Sequence, residues 1–498
     1  MKKIYALLIL GFLFMTGCES LEDTYKDYSG DGTVRYLGKC SDLSIEPGWN
    51  KLNVKWVNHI DPLIDKIYLV WATEGVVKDS LLDKTVSECV IPNLENANYE
   101  IYVCSVDKEG NRSLPVRGYG RPYTDAHETV RSFTRLIVKH YFIKDRLLLC
   151  FSKWNDNVTS ATLEYTSGGK SKKLELTKDL LDGNKYYMLP DAIDEGTKVI
   201  LNRSGRLEGC VDLIVFPSYE LSHQKVYTPE FKQFIREKYG KEEISEDFIT
   251  SLETLEFDYT MTSFEDILNI SNLKILELGK NRFLKEEFLK NYKSDSKLYD
   301  IERSLFVLNA ANEINGLEIK RYNSHYLPDI ALPYMQEMGN PAPPVLHCMD
   351  SKDWKLSCSE EDKGNYNSHL DHLFDGDVMT NWQPELSSEG MRTYDIVVDF
   401  EKEIAVNGVK VVQKYFDPDK DDQSGKILPN TVKIKYSRDG SVWENAVYTE
   451  NSMLGATSGE TTVIRFPAVR NARYLKFVVS DYITGSNFSV TLAEIGVF

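Results

Sequence analysis

"HLFDGDVMTNW", His372 to Trp382, sets two aspartates, a glycine, a threonine and a tryptophan within eleven residues. Asp375 and Asp377 flank Gly376, the residue type that enters positive φ without steric cost. Two carboxylates so placed point into one small volume. The acid–base pairs of glycosidases instead face each other across a substrate, about 5 to 9.5 Å apart. Oxygen ligands converging on one turn suit a hard cation such as Ca2+, which takes about six to eight of them. The alternative is that both aspartates only cap turns.

Three further stretches belong with this one. "TYDIVVDFEKEIAVNGVKVV" (393–412) alternates as a strand and continues as a hydrophobic return. "LPNTVKIKYSRDGSVWENA" (428–446) is a strand followed by an S-x-D-G turn and a tryptophan. "RYLKFVVSDYITGSNFSVTLAEIGVF" (473–498) supplies closing strands and an Ala-Glu-Ile. In this order, over roughly 150 residues, the four resemble a factor V/VIII type C (discoidin, galactose-binding-like) domain.

The resemblance implies an eight-stranded jelly-roll sandwich for residues 346–498. It also implies a structural Ca2+ held by Asp375, Asp377, Thr380 and, from "AEI", Glu494, with backbone carbonyls completing the shell. Metal-free relatives keep such acids as turn caps. Trp382 is expected in the core. Sugar-binding relatives use loops at one end of the sandwich, where an aromatic face stacks on a pyranose and polar groups bond its hydroxyls. "TGSNFSVTLAE" makes Phe488 the stacking candidate and Asn487 a hydrogen-bond donor. "VVQKYF" (411–416) adds Lys414, Tyr415 and Phe416, and Trp354, Tyr366 and His369 precede the acidic loop. For each aromatic the alternative is a rim residue covering the sheet edge. The 411–416 stretch has no arginine, where galactose-binding relatives often carry a cation, so the resemblance leaves galactose specificity open.

A second acidic loop, "DPDKDDQSGKIL" (417–428), begins like an EF-hand with Asp417, Asp419 and Asp421. Its sixth position is Asp422 instead of Gly and its twelfth Leu428 instead of Glu, so a solvated loop is expected.

Upstream, "GNPAPPV" (339–345) reads as a stiff linker in which polyproline II is favoured. Before it, "TPEFKQFIREKYG" (228–240) has helical spacing, with Pro229 at the start and Gly240 as a stop. "LETLEF" (252–257) and "LKILEL" (273–278) recur 21 residues apart, and a third turn ends in "LNAANEINGLEIKRY" (308–322). The pattern resembles a leucine-rich repeat and predicts a short repeat-like α/β domain over 217–338. Its leucines read as core.

From Tyr36 onward the pattern is β. "KLNVKWV" (51–57), "DKIYLVWAT" (65–73) and "NYEIYVCSV" (98–106) are strand-like, and "DKEGNRS" (107–113) is a turn. They resemble strands of a fibronectin type III-like sandwich, with Trp56 in its core. "RLLLCFSKWNDNVTSATLEYTSGG" (146–169) repeats the pattern about 95 residues on, so sandwiches are expected over 36–120 and 121–216. The fold class is therefore multidomain and mainly β.

The chain begins "MKK" followed by an apolar run from Ile4 to Phe14, too short to span a bilayer and read as a signal peptide. "MTGC" resembles the lipobox of bacterial lipoproteins, with Cys18 lipidated after a signal at 1–18 and a polar tether over 19–35. The acidic run "ESLEDTYKDY" resembles the surface-export signal of Bacteroidota lipoproteins. An outer-membrane lipoprotein facing the cell exterior is the expected localisation. Beyond Cys18 seven cysteines remain, none in a C-x-x-C pair, which argues against a zinc or thioredoxin-like site. Cys348 and Cys358 are the nearest candidates for a disulfide, and the odd total leaves at least one thiol free.

A net charge of −17 without a basic stripe excludes nucleic acid as a partner. The leading expectation is a non-catalytic surface lipoprotein that captures polysaccharide through its last domain, with a membrane transporter or glycosidases as neighbours. An adhesion or assembly protein, binding protein through its leucine-rich and discoidin domains, is the alternative. A lipid-anchored glycosidase would need a catalytic barrel of about 250 residues, for which there is no room.

Overall fold

The computed structural model describes residues 36–498 apart from 211, 295, 360–367, 421–426, 430–431, 448–456 and 485. Cys18, the tether, Tyr366 and the centre of the second acidic loop lie outside the described residues.

Alternating burial builds the first unit. In strand Lys51–Val57, Leu52, Val54 and Trp56 are buried while Lys55 and Val57 face water. That strand pairs with Ser41–Gly48 and Glu88–Ile91 in a three-stranded sheet. The second sheet runs in the order Val76–Asp83, Lys66–Thr73, Tyr99–Val106, Val116–Gly120. Their inner faces share one core, with Trp56 in it as expected.

The second unit repeats this strand order. Tyr186–Met188, Arg146–Phe151 and Ile137–Ile143 form its three-stranded sheet. Lys170–Glu175, Val158–Ser167, Ile200–Gly205 and Ile214–Glu220 form its four-stranded one. The outer face of the smaller sheet, through Tyr141, Ile143, Leu148 and Cys150, joins the core of the next unit.

That next unit is a four-stranded parallel sheet, Thr254–Phe257, Ile275–Leu278, Glu318–Tyr322 and Met335–Gly339, backed by helices. Leu255, Leu276 and Ile319 stand in register on the buried face. Glu256, Glu277 and Lys320 stand in register on the other, where the Lys280 ammonium reaches Glu256 at 3.2 Å and Glu277 at 2.6 Å. Helix Pro229–Tyr239 starts where the Thr228 hydroxyl accepts the Phe231 N–H at 3.1 Å and stops at Gly240, φ 64°. Helix Ile301–Asn315 is capped by Asp300.

The last unit is built on two long strands, Thr393–Val412 and Glu460–Ser480, paired antiparallel with register shifts that bend them. Its seven-stranded sheet includes one strand, Arg282–Leu284, contributed by the α/β unit. Residues 340–345 carry no regular structure. They are nonetheless no spacer between separated bodies, because Arg282–Leu284 pairs directly with Glu460, Thr461 and Thr462. No disulfide joins the seven described cysteines, so Cys348 and Cys358 do not pair. Among the described residues no helix is long and apolar enough to cross a membrane.

Candidate functional site

The acidic loop follows a 3-10 turn, Leu370–Phe374, and bends at Gly376, φ 79°. Asp375 Oδ1 accepts the Asp377 N–H at 2.7 Å, and Asp377 Oδ1 accepts the Met379 N–H at 2.9 Å. Each aspartate thus caps a turn two residues on. The Thr380 hydroxyl donates to Asp375 Oδ2 (2.8 Å) and to the Asp377 carbonyl (2.7 Å). The Gly376 N–H donates to Glu494 Oε2 at 3.1 Å, which brings the first residue of strand Glu494–Val497 under the loop.

Glu494 is buried, and burial together with the nearby Asp375 carboxylate pushes its acid up to about 7. Two carboxyl groups held together this way need a proton or a cation between them. The oxygens present, from Asp375, Glu494, Thr380 and the loop carbonyls, are the hard donors that Ca2+ takes. The Asp377 carboxylate, like that of Asp375, accepts a backbone N–H of its own loop. Among the described residues no group of three or more His, Cys, Asp or Glu side chains gathers as a metal site. The carboxyl groups that lie together there are two, Asp375 and Glu494.

Asn487 and Phe488 lie on a hairpin, Tyr482–Thr484 against Asn487–Ser489. Both are half-buried, and the Phe488 main chain pairs with Ser387 through bonds of 2.7 and 3.0 Å. Tyr482 on the same hairpin is 43% exposed. Trp354 is half-buried, edge-on to Phe374 and Phe400, as a rim residue would be. His369 is exposed at the head of the 3-10 turn, its ring 5.2 Å from that of His372. Trp382 is buried against Tyr394.

Tyr415 and Phe416 depart from expectation, for both are buried. The Tyr415 ring stacks on Phe288 of the α/β unit at 3.9 Å, and its hydroxyl accepts the Asn291 amide at 2.9 Å. The Phe416 carbonyl accepts the Tyr292 hydroxyl at 2.9 Å. Their faces are covered by protein, so neither is available to a sugar. Lys414 donates to the Met379 carbonyl and so ties its strand end to the acidic loop. The structure therefore brings Asp375, Thr380, Glu494 and Lys414 to one loop cluster and places Asn487 and Phe488 on the hairpin. It assigns Tyr415 and Phe416 to a domain junction. The partners Phe288 and Asn291 carried no sequence signal, because nothing local distinguishes a docking aromatic from a core one.

The model of the F5/8 type C domain matches residues 355–493, and one described as a domain of unknown function matches residues 18–202. No curated protein matches the chain. Among solved structures, CpGH89CBM32-5 from Clostridium perfringens, in complex with GalNAc-β-1,3-galactose, is 16% identical (TM-score 0.25) over 30% of this chain and 99% of that one. CBM32-3 from a family 31 glycoside hydrolase of the same organism is 21% identical (TM-score 0.24) over 30% and 94%. The family 32 carbohydrate-binding module of C. perfringens NanJ, in complex with galactose, is 15% identical (TM-score 0.22) over 30% and 96%. The C-terminal unit is an F5/8 type C (discoidin) domain in a multidomain, mainly β chain.

Proposed function

We propose that the chain is a non-catalytic surface lipoprotein, anchored through Cys18, that binds glycans with its C-terminal domain in polysaccharide capture. The observation that carries this reading is the F5/8 type C match over 355–493, combined with a surface hairpin presenting Asn487, Phe488 and Tyr482. Phe488 is the stacking residue and Asn487 a hydroxyl partner, with His369 and Trp354 as candidate flanking contacts. Lys414, Tyr415 and Phe416 act in the junction and the loop instead.

In the same reading a structural Ca2+ sits in the acidic loop. Asp375 and Glu494 supply its charge, Thr380 and backbone carbonyls supply neutral oxygens, and Asp377 shapes the turn. The ion would fix the loop and relieve the crowding of the two carboxylates. The test is retention of the full chain on a panel of immobilised polysaccharides, with hydrolysis products measured alongside. Retention without products is expected. Released oligosaccharides overturn the non-catalytic reading, and binding to no glycan at all favours the adhesion alternative.

A further inference from the structure

The second sandwich opens at one edge. Strand Ile137–Ile143 is the outer strand of one sheet and Ile214–Glu220 the outer strand of the other. A cavity of about 830 Å³ lies between them, bounded also by helix Glu128–Phe133 and residues 222–226. That volume suits a one- or two-ring ligand.

Its charge is unlike that of the chain. Arg131, Arg135 and Arg203 line it, and Asp125 is the one carboxylate among its lining residues. Arg203 donates from Nη1 to the Thr134 carbonyl and from Nη2 to the Pro217 carbonyl, both at 3.1 Å, and its buried Nε has no acceptor. Arg131 and Arg135 donate to the carbonyls of Asp125 and Val138. Among the described residues none of the three pairs with a carboxylate. The lysines that line the cavity are already matched, Lys139 by Glu265 at 3.1 Å and Lys225 by Glu246. In a chain of net charge −17, three guanidinium groups around one opening, with Asp125 as the one carboxylate among the lining and acting on Arg203, leave a net positive local site for an oxyanion, whose geometry their planar forks fit.

Aromatic rings flank the opening on both edge strands. Phe142, on Ile137–Ile143, stacks on His223 at 3.7 Å, and Tyr219, on Ile214–Glu220, is 50% exposed. Exposed aromatic rings take the apolar face of a sugar ring.

We propose that this cleft binds an acidic saccharide, with its carboxylate or sulfate held by Arg131, Arg135 and Arg203 and its ring laid against Phe142–His223 and Tyr219. The saccharide half rests on the glycan-binding reading above; the anion half rests on the arginines alone.

The experiment is calorimetric titration of the full chain at low ionic strength with glucuronic acid, glucose and sodium sulfate. Glucuronic acid should bind at least tenfold more tightly than glucose. The double variant R131Q/R135Q changes two exposed side chains and should lose that preference, whereas F488A should keep it. Equal binding of the two sugars, or an unchanged preference in R131Q/R135Q, overturns the proposal, as does its loss in F488A. Sulfate binding as tightly as glucuronic acid overturns the saccharide half. Failure of the C-terminal domain to bind neutral glycans, with the arginine-dependent preference intact, contradicts the function above and leaves this site standing.

Discussion

Arg282 and Glu460, 178 residues apart, form a buried ion pair across the junction between the α/β unit and the F5/8 type C domain. The guanidinium meets the carboxylate through Nε and Nη2, the latter at 2.7 Å. Arg282 Nη1 also donates to the Asp258 carbonyl at 3.1 Å, and Glu460 accepts the Ser294 hydroxyl at 2.5 Å and the Thr457 N–H at 3.2 Å. Such a pair repays its desolvation only when its remaining donors and acceptors are satisfied, as they are here.

Removing one partner leaves the other charged, buried and alone. Arg282→Met or Glu460→Gln should each cost about 3–5 kcal/mol of stability. The double variant R282M/E460Q should cost clearly less than the sum. Guanidinium chloride unfolding of the four proteins measures this coupling, and additive losses would contradict it.

The same junction sets where the last domain ends. A fragment of residues 341–498 lacks strand Arg282–Leu284, strips Glu460 of its guanidinium and uncovers Tyr415 from Phe288. It should melt well below a fragment of residues 217–498. Equal melting temperatures would show the junction to be dispensable.

His325 lies buried beside Ser294 at the same junction, with no partner for its Nδ1. Burial, with Arg282 and Lys293 nearby, holds it down to about 2. The unfolded chain takes up this proton below about pH 6.5 while the folded one does not. Its contribution is therefore full above that pH and is lost as pH falls. Asp266, raised to about 6 by burial, works in the opposite direction, stabilising in acid and losing that effect as pH rises through about 6. Comparing wild type with His325→Gln isolates the histidine. The wild type should lose up to one extra proton's worth of stability, about 1.4 kcal/mol per pH unit, between pH 6.5 and 4. Parallel curves would refute this.

Calcium should raise the melting temperature of the full chain and EDTA should reverse the rise. Asp375→Asn should abolish the response, while Asp377→Asn, whose side chain can still accept the Met379 N–H, should retain most of it. An unchanged melting temperature with and without EDTA would show that the loop holds no stabilising ion.

Much of the fold is legible locally. Period-two alternation predicts Lys51–Val57 residue for residue, and the repeat offset carries over into the identical strand order of the second sandwich. Helix Pro229–Tyr239 is marked by its proline, and Gly240 ends it. Strand Met335–Gly339 is missed, because it is a mostly exposed edge whose burial follows no alternation. The long-range pairing of Arg282 with Glu460 has no local signature, since either residue alone reads as surface charge. For the same reason Tyr415 and Phe416 look like loop aromatics until the neighbouring unit is seen covering them. The turn-capping role of Asp375 and Asp377 is legible, but the burial of Glu494 beneath them depends on strand pairing with Thr393–Val412.

Glycan affinity of the full chain and of F488A, measured by calorimetry on a polysaccharide that retains the wild type, tests the central claim most directly. Y415A serves as the control, because its ring belongs to the junction. At least a tenfold loss of affinity is expected in F488A, with Y415A less stable but binding as wild type. Undiminished binding in F488A, or a selective loss in Y415A, would contradict it.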